Sequence, residues 1–257
     1  MRQVYGFFIG FLLIIAGIII NPVRAQDASY LRVYSSNGVR EILQELKPDI
    51  EHAVGVILDF EFSTSRTLAD QVSAGASFDV VVLTPTLIDE LIGLGIVNPL
   101  SRSVFAQVGV GIGSHKSAPT KNVSTLDAYR EILLEAESIA YGANGQSRRT
   151  NESSFEVLGI SEQVHHKRRL TGPGEGPGLV AEGEVELVLT LVSELIRETD
   201  VQFLGPLPME VQGYIRFEAG IGVESNEPVK AMEFIRFLLD SDFSLALSEY
   251  GLESINR

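Results

Sequence analysis

From residue 31 onward, short apolar runs alternate with segments whose apolar residues recur at helical spacing. Residues 31–35 read as a strand, after which Val39, Ile42, Leu43 and Leu46 fall at i, i+3, i+4 and i+7, the stripe of a helix. Val56, Leu58, Phe60 and Phe62 then alternate with Ile57, Asp59, Glu61 and Ser63, which is strand periodicity with one wetter face. Ser63-Thr64-Ser65 offers N-cap hydroxyls to a helix over about 66–74 that Gly75 stops. Residues 78–83 form a buried strand, and Thr84-Pro85 opens a helix that runs through Leu94 to Gly95.

The alternation continues along the chain. Strands are predicted at 105–112, 138–141, 185–191 and 201–204, with a long extended stretch at 211–221. Ser124-Thr125-Leu126-Asp127 resembles a capping box for a helix to Leu134, and further helices are predicted at 153–158, 228–239 and 244–250. Strands separated by helical segments imply mainly parallel sheets covered by helices, an α/β architecture. No internal repeat with a 20–50 residue period is present. Residues 171–178 (TGPGEGPG) and 142–153 read as polar loops at strand ends, where open parallel sheets bind ligands.

The first 25 residues follow a different pattern. Arg2 precedes residues 6–20 (GFFIGFLLIIAGIII), a run without one polar side chain, and Val23-Arg24-Ala25 places small residues at −3 and −1 of a cut before Gln26. This is the tripartite export signal, and its run is short for a membrane span of about 20 residues. An uncleaved N-terminal anchor is the alternative; either way the remainder faces outward, and a periplasmic location is expected. The absence of cysteine excludes disulfides, thiolate sites and a lipid tether through that residue.

Charge changes the picture less than it first suggests. The 257 residues carry 34 acids and 20 bases, a net charge of −14, which becomes −16 once Arg2 and Arg24 leave with the signal. This excludes nucleic acid and an anionic membrane surface as partners. Surface charge is screened beyond about 8 Å at physiological salt, so it says little about a cleft.

Catalytic signatures are weak. The four histidines, His52, His115, His165 and His166, do not fall at metal-ligand spacing, and no G-x-S-x-G elbow or phosphate-binding glycine loop occurs. His165 to Arg169 (HHKRR) reads as a solvated basic patch. Gly109-Val110-Gly111-Ile112-Gly113 reads as close backbone packing rather than a phosphate cradle. No catalytic residue, cofactor or metal is predicted.

A different device repeats: hydroxyl or glycine residues where a strand hands over to a helix. Ser35-Ser36-Asn37-Gly38, Ser63-Thr64-Ser65 and Asn144-Gly145-Gln146-Ser147 all do this. Such starts present free backbone N–H groups and a positive dipole end, and so hold oxyanions without a formal charge. Any one of them is explained by ordinary capping; three in one exported α/β chain point to anion binding.

With these motifs the chain resembles the molybdate-binding branch of periplasmic solute-binding proteins, the receptors of ABC importers. The resemblance runs from LRVYSSNGVREILQEL through FEFSTSRTLADQVSAGASFDVVVLTPTLIDELIGLGIV to AMEFIRFLLDSDFSLALSEYGL. It implies a two-lobed type II periplasmic binding fold with ligand held between lobes, residues 27–106 with 212–257 forming one lobe and 107–211 the other. It further implies an inner-membrane ABC permease as partner, a small anionic ligand, no cofactor and a monomeric receptor.

Carried over by position, the resemblance implies ligand contacts at Ser36, Gly38, Ser65, Arg66, Ser147, Arg148, Gly174 and Thr190. The family's first binding serine falls on Gly38, which keeps its N–H but lacks the hydroxyl; the second falls on Ser65. The third and fourth contacts fall near Ser147 and within 174–178, and the family's tyrosine aligns near Thr190-Leu191, where no phenol exists. Arg40, Arg66, Arg148 and Arg149 crowd the same helix starts. They either face solvent or suit a carboxylate or phosphate by bidentate bonding. Micromolar affinity needs about 8 kcal/mol, which several charge-assisted hydrogen bonds at about 1.5–3 kcal/mol each can supply. The expected function is capture of a small oxyanion or organic anion for an importer. A sensing or scaffold protein with the same fold is the alternative, and an enzyme using the same cleft a further one.

Overall fold

The computed structural model describes residues 29–255, so the export segment expected at 1–25 lies outside the described residues. The first part of the chain forms β1 (Tyr30–Ser36), α1 (Arg40–Glu45), α2 (Lys47–Val54), β2 (Ile57–Ser63), α3 (Ser65–Ser73), β3 (Val80–Leu83), α4 (Pro85–Gly93) and the long strand β4 (Ser103–His115). It continues as α5 (Leu126–Glu135), β5 (Ile139–Gly142), α6 (Gln146–Val157), α7 (Ser161–His165), β6 (Arg168–Thr171), α8 (Gly176–Ala181), β7 (Leu187–Leu191), α9 (Val192–Leu195) and β8 (Val201–Pro206). The end of the chain adds β9 (Tyr214–Ile221), α10 (Pro228–Leu238), α11 (Ser241–Ala246) and β10 (Glu253–Ser254). No helix among the described residues is long and apolar enough to cross a membrane.

Two lobes share one curled sheet, ordered β2-β1-β3-β9-β4-β7-β5-β6. In the first lobe β2, β1 and β3 run parallel, and β9 and β4 add antiparallel neighbours. In the second, β6, β5 and β7 run parallel and β4 again closes the set antiparallel, with β8 on its other side. The parallel trios are the expected ones. The sheets are mixed because the chain leaves the first lobe along β4 and returns along β9, so the crossing strands must oppose each other.

Period-two alternation decides which helices cover which face. Val80 and Val82 of β3 join the main core with Ile42, Leu43 and Phe234, while Val81 and Leu83 face Leu68, Ile88 and Leu91 of α3 and α4. In β7, Leu187 and Leu189 lie in the core that holds Tyr129 and Phe155, and Val188 faces Val180 and Leu195 of α8 and α9. Each lobe is thus a sheet with helices on both faces.

Several segments differ from the sequence reading. Residues 142–153 are largely the helix α6 rather than a loop. Its buried polar side chains reach other elements: Asn151 Nδ2 donates to the Leu189 carbonyl at 3.1 Å, though its Oδ1 has no partner among the described residues, and Ser154 Oγ sits 2.9 Å from the Tyr129 hydroxyl. The glycine-rich stretch 171–178 ends in α8, with Pro177 in its first turn. Lys47-Pro48 starts α2, a helix missing from the sequence reading. Lys167 is not a solvated member of its basic patch; its ammonium donates to the carbonyls of Leu134 and Ala136 at 2.6 and 2.8 Å, where α5 ends.

The crossing is held at two places. On one face of β4 the glycines let neighbours approach: a β-carbon on Gly111 would lie 2.7 Å from the Phe203 ring and 3.1 Å from Val192. The Gly109–Gly113 alternation is therefore close packing, as its spacing predicts. On the return segment, Gln212 imitates a ladder residue. Its Oε1 accepts from Val110 N–H at 2.8 Å and its Nε2 donates to the Val110 carbonyl at 2.9 Å. Gln212→Ala leaves both backbone groups without that partner, and a loss of about 2 kcal/mol in urea-unfolding stability is expected.

Candidate functional site

Strand ends and helix starts meet between the lobes around a cavity of about 720 Å³. Five segments open onto it. From the first lobe come the turn after β1 (Ser36, Asn37, Gly38), the start of α3 (Thr64, Ser65, Arg66) and the start of α4 (Thr84, Thr86). From the second come the start of α6 (Asn144, Gly145, Ser147, Arg149) and the loop into α8 (Thr171, Gly172, Gly174, Gly176). Thr190, Leu191 and Glu194 form the back wall, with Ile215 and Phe217 beside them.

The first-lobe wall holds three polar side chains that are more than nine-tenths buried yet have an atom with no hydrogen-bond partner. These atoms are Asn37 Nδ2, Ser65 Oγ and Thr84 Oγ1, at residues exposed by 8, 9 and 3%. Asn37 is fixed as a donor toward the cleft because its Oδ1 accepts from Arg40 Nη2 at 2.7 Å. Thr64 takes over the capping of α3, accepting from Thr67 N–H at 3.2 Å, which leaves Ser65 uncommitted. A buried polar atom without a partner costs about 1–3 kcal/mol. Among the described residues Arg40 Nε, Gln71 Oε1, Ser114 Oγ, Asn151 Oδ1 and Gln202 Oε1 are in the same state elsewhere, and Asn37, Ser65 and Thr84 are the ones whose residues line the cavity, where an acceptor could reach them.

Seven of the eight residues named from sequence line this cavity: Ser36, Gly38, Ser65, Arg66, Ser147, Gly174 and Thr190. Arg148 does not. Its Nε donates to Glu152 at 2.9 Å and its Nη1 to the Ala143 carbonyl, so it serves the first turn of α6 from behind the wall. The other arginines separate as well. Arg66 lies at the mouth with its charge matched by Glu90 at 2.9 Å and Asp70 at 3.2 Å. Arg40 stands behind Asn37 with its guanidinium 5.3 Å from the Phe62 ring centre. Arg149 lines the cavity and has no ion pair to a described residue.

Gly38 is more than a position lacking a hydroxyl. A β-carbon there would collide with the Phe217 ring and lie 2.8 Å from Leu191, so packing excludes any side chain. Its carbonyl accepts from Ser193 Oγ at 2.7 Å, a bond between the two lobes. A second bridge joins Arg197 to Glu45 at 2.6 Å.

Asn37, Thr84 and Glu194 were not among the contacts expected from sequence, although Asn37 lies in the first handover and Thr84 was read as a helix start. Thr84 carries the same signal as the three handovers that were, a hydroxyl between a buried strand and a helix start. Glu194 carried none, being one of 34 acids. Its carboxylate accepts from Thr190 Oγ1. Burial pushes this carboxyl above the usual range, against the bonds from Thr190 and Leu191 and the charge of Arg40, which pull it down. Among the described residues no cluster of His, Asp or Glu could hold a metal ion.

Comparison with known proteins gives this arrangement its family. Residues 31–253 match the family of bacterial extracellular solute-binding proteins. The chain belongs to that family. This solute-binding protein is 26% identical over 237 residues to aconitate isomerase of Pseudomonas sp, an alignment covering 90% of each chain. Its fold is shared with the periplasmic molybdate-binding protein of Azotobacter vinelandii, at TM-score 0.75 and 16% identity over 86% of this chain and 98% of that one. The sulfate-binding protein of Mycobacterium tuberculosis gives 0.72 at 14% identity, over 89% and 88%.

The unpartnered hydroxyls generate a paired expectation. Ser65→Ala and Thr84→Val remove buried polar atoms, so thermal melts of the ligand-free solute-binding protein are expected to show unchanged or slightly raised stability, by up to about 1 kcal/mol. Titration with any ligand of the cleft is expected to show affinity falling tenfold or more for each.

Proposed function

We propose that the protein captures a small organic anion bearing carboxylates in the cleft between its lobes and delivers it to an ABC importer in the inner membrane. In this reading the mature chain works in the periplasm. The lobe formed by 27–106 and 212–257 closes on the lobe formed by 107–211, with Ser36, Gly38, Ser65, Ser147, Gly174 and Thr190 around the ligand. The observation that carries it is the first-lobe wall of buried, unpartnered donors facing the start of α6 and Arg149, which has no ion pair among the described residues. Backbone N–H groups at helix starts and neutral side-chain donors hold a carboxylate, and Arg149 adds a charge-assisted bond.

An organic ligand is favoured over a tetrahedral oxyanion on two grounds. A volume of about 720 Å³ falls within the roughly 300–1,000 Å³ typical of small-organic-molecule sites. The Gly38 position, filled on its side-chain side by Phe217 and Leu191, cannot carry a serine donor. The relative named aconitate isomerase supports the same class, since aconitate is a tricarboxylate.

A second reading is chemical, and Glu194 favours it: a carboxyl with a raised pKa inside an anion cleft can move a proton on the bound acid. One experiment addresses both. Isothermal titration of the folded protein against malate, citrate, cis- and trans-aconitate, succinate, phosphate, sulfate, molybdate and tungstate is expected to give micromolar binding of a polycarboxylate. It is expected to give at least tenfold weaker binding of the inorganic anions. Silence across the panel would overturn the proposal. Proton NMR of the aconitate samples separates the readings, because interconversion of the isomers above the buffer rate requires an enzyme and binding without conversion rejects one.

A further inference from the structure

We propose that Glu194 makes the cleft selective for hydroxy-carboxylates, accepting a hydrogen bond from a ligand hydroxyl while the two donor walls hold the carboxylates. This rests on the anion-binding reading above and narrows its substrate class. Among the described residues lining the cavity Glu194 is the one carboxylate, set among hydroxyls, the Asn37 amide nitrogen, backbone amides of helix starts and Arg149. A carboxylate in an anion site is repulsive unless the ligand brings a donor to it. Sulfate and molybdate bring none, and neither does a plain dicarboxylate once ionised. A hydroxyl flanked by carboxylates brings one.

The surroundings keep Glu194 in place and keep it short of donors. Thr190 Oγ1 and the backbone of Leu191 bond to it, whereas a carboxylate accepts up to about four bonds. Arg40 is the cation near it; one nitrogen of that guanidinium is already spent on Asn37. The helix bearing Glu194 is anchored from both sides, by Ser193 Oγ on the Gly38 carbonyl at 2.7 Å and by Val192 against the bare backbone of Gly111. The carboxylate therefore stays at the back wall between the two sets of donors. Burial disfavours its charge, and a ligand hydroxyl offsets that cost in a way a methylene cannot.

Matched pairs that differ by one hydroxyl test the assignment. Titrations of the full mature protein with malate against succinate, and citrate against tricarballylate, are expected to favour the hydroxylated member by about 10- to 100-fold, the range of one charge-assisted hydrogen bond. Glu194→Met, which keeps similar volume and removes the acceptor, is expected to bring each pair within about threefold by weakening the hydroxylated member. Glu194→Gln keeps an acceptor oxygen and is expected to retain part of the preference; melting curves of both variants verify folding. Equal binding within each pair by the wild type, or an undiminished gap in Glu194→Met, overturns the role of Glu194 and leaves anion binding standing. Binding of none of the four acids overturns the role of Glu194, and if cis- and trans-aconitate are silent as well it overturns the capture of organic anions too.

Discussion

The cleft exists because one strand belongs to two sheets. β4 pairs with β9 in the first lobe and with β7 and β8 in the second, so the lobes cannot separate without breaking a continuous ladder. Its second half presents valine and isoleucine to the main core and glycine to the opposite face. That bare face lets α9 and β8 lie close to the backbone. Because α9 is drawn in, Ser193 reaches the Gly38 carbonyl and Glu194 reaches the cleft. Gln212 then ties the returning segment to Val110, so both crossings are fixed at the same level of the molecule. A side chain at Gly111 would press first on Phe203 of β8 and then on Val192 of α9.

Buried polar atoms are normally bonded, yet Asn37, Ser65 and Thr84 each keep one that is not, and all three residues line the same cavity. Each costs stability that the core must offset, and the return comes only when an acceptor enters the cleft. The acidic surface does not oppose this. Net charge acts at a distance through salt water, whereas helix starts and Arg149 act at contact. Within that donor-rich surface Glu194 is the exception, the carboxylate among the described residues that line the cavity.

What this chain shares with the molybdate- and sulfate-binding proteins is the frame, the order of strands and helices. The helix starts remain at the ends of parallel strands, because the order of strands and helices puts them there. The side chains at those starts are free to vary, since they face the cleft rather than the core. At Gly38 that freedom is gone, as Phe217 from the returning strand occupies the space a donor would need. The carboxylate at Glu194 is held from the same neighbourhood, through the lobe-to-lobe bond at Gly38.

Local chemistry was legible along the chain because it is local. Period-two runs marked the strands, Thr64 and Thr125 marked helix starts they do cap, and the three strand-to-helix handovers read as suited to an anion all open onto one cavity. The α6 helix was hidden, because what stabilises its polar sequence is Leu189 and Tyr129, 38 and 25 residues from their partners. Arg148 and Arg149 are neighbours of one type, and only the turn of α6 decided that one bonds to Glu152 while the other lines the cleft. Thr84 shared the signal of the recognised sites, but nothing in sequence said that its hydroxyl would be left without a partner. Glu194 was beyond reach altogether. A single acid among many acquires its meaning from the donors that surround it, and those come from five separate segments. The sequence by itself determined the elements, their order and the kind of group each helix start presents, since these depend on neighbours within a turn or a strand. The tertiary structure decided which of them face one another, which are already satisfied and which still lack a partner, because those are properties of contacts between distant residues.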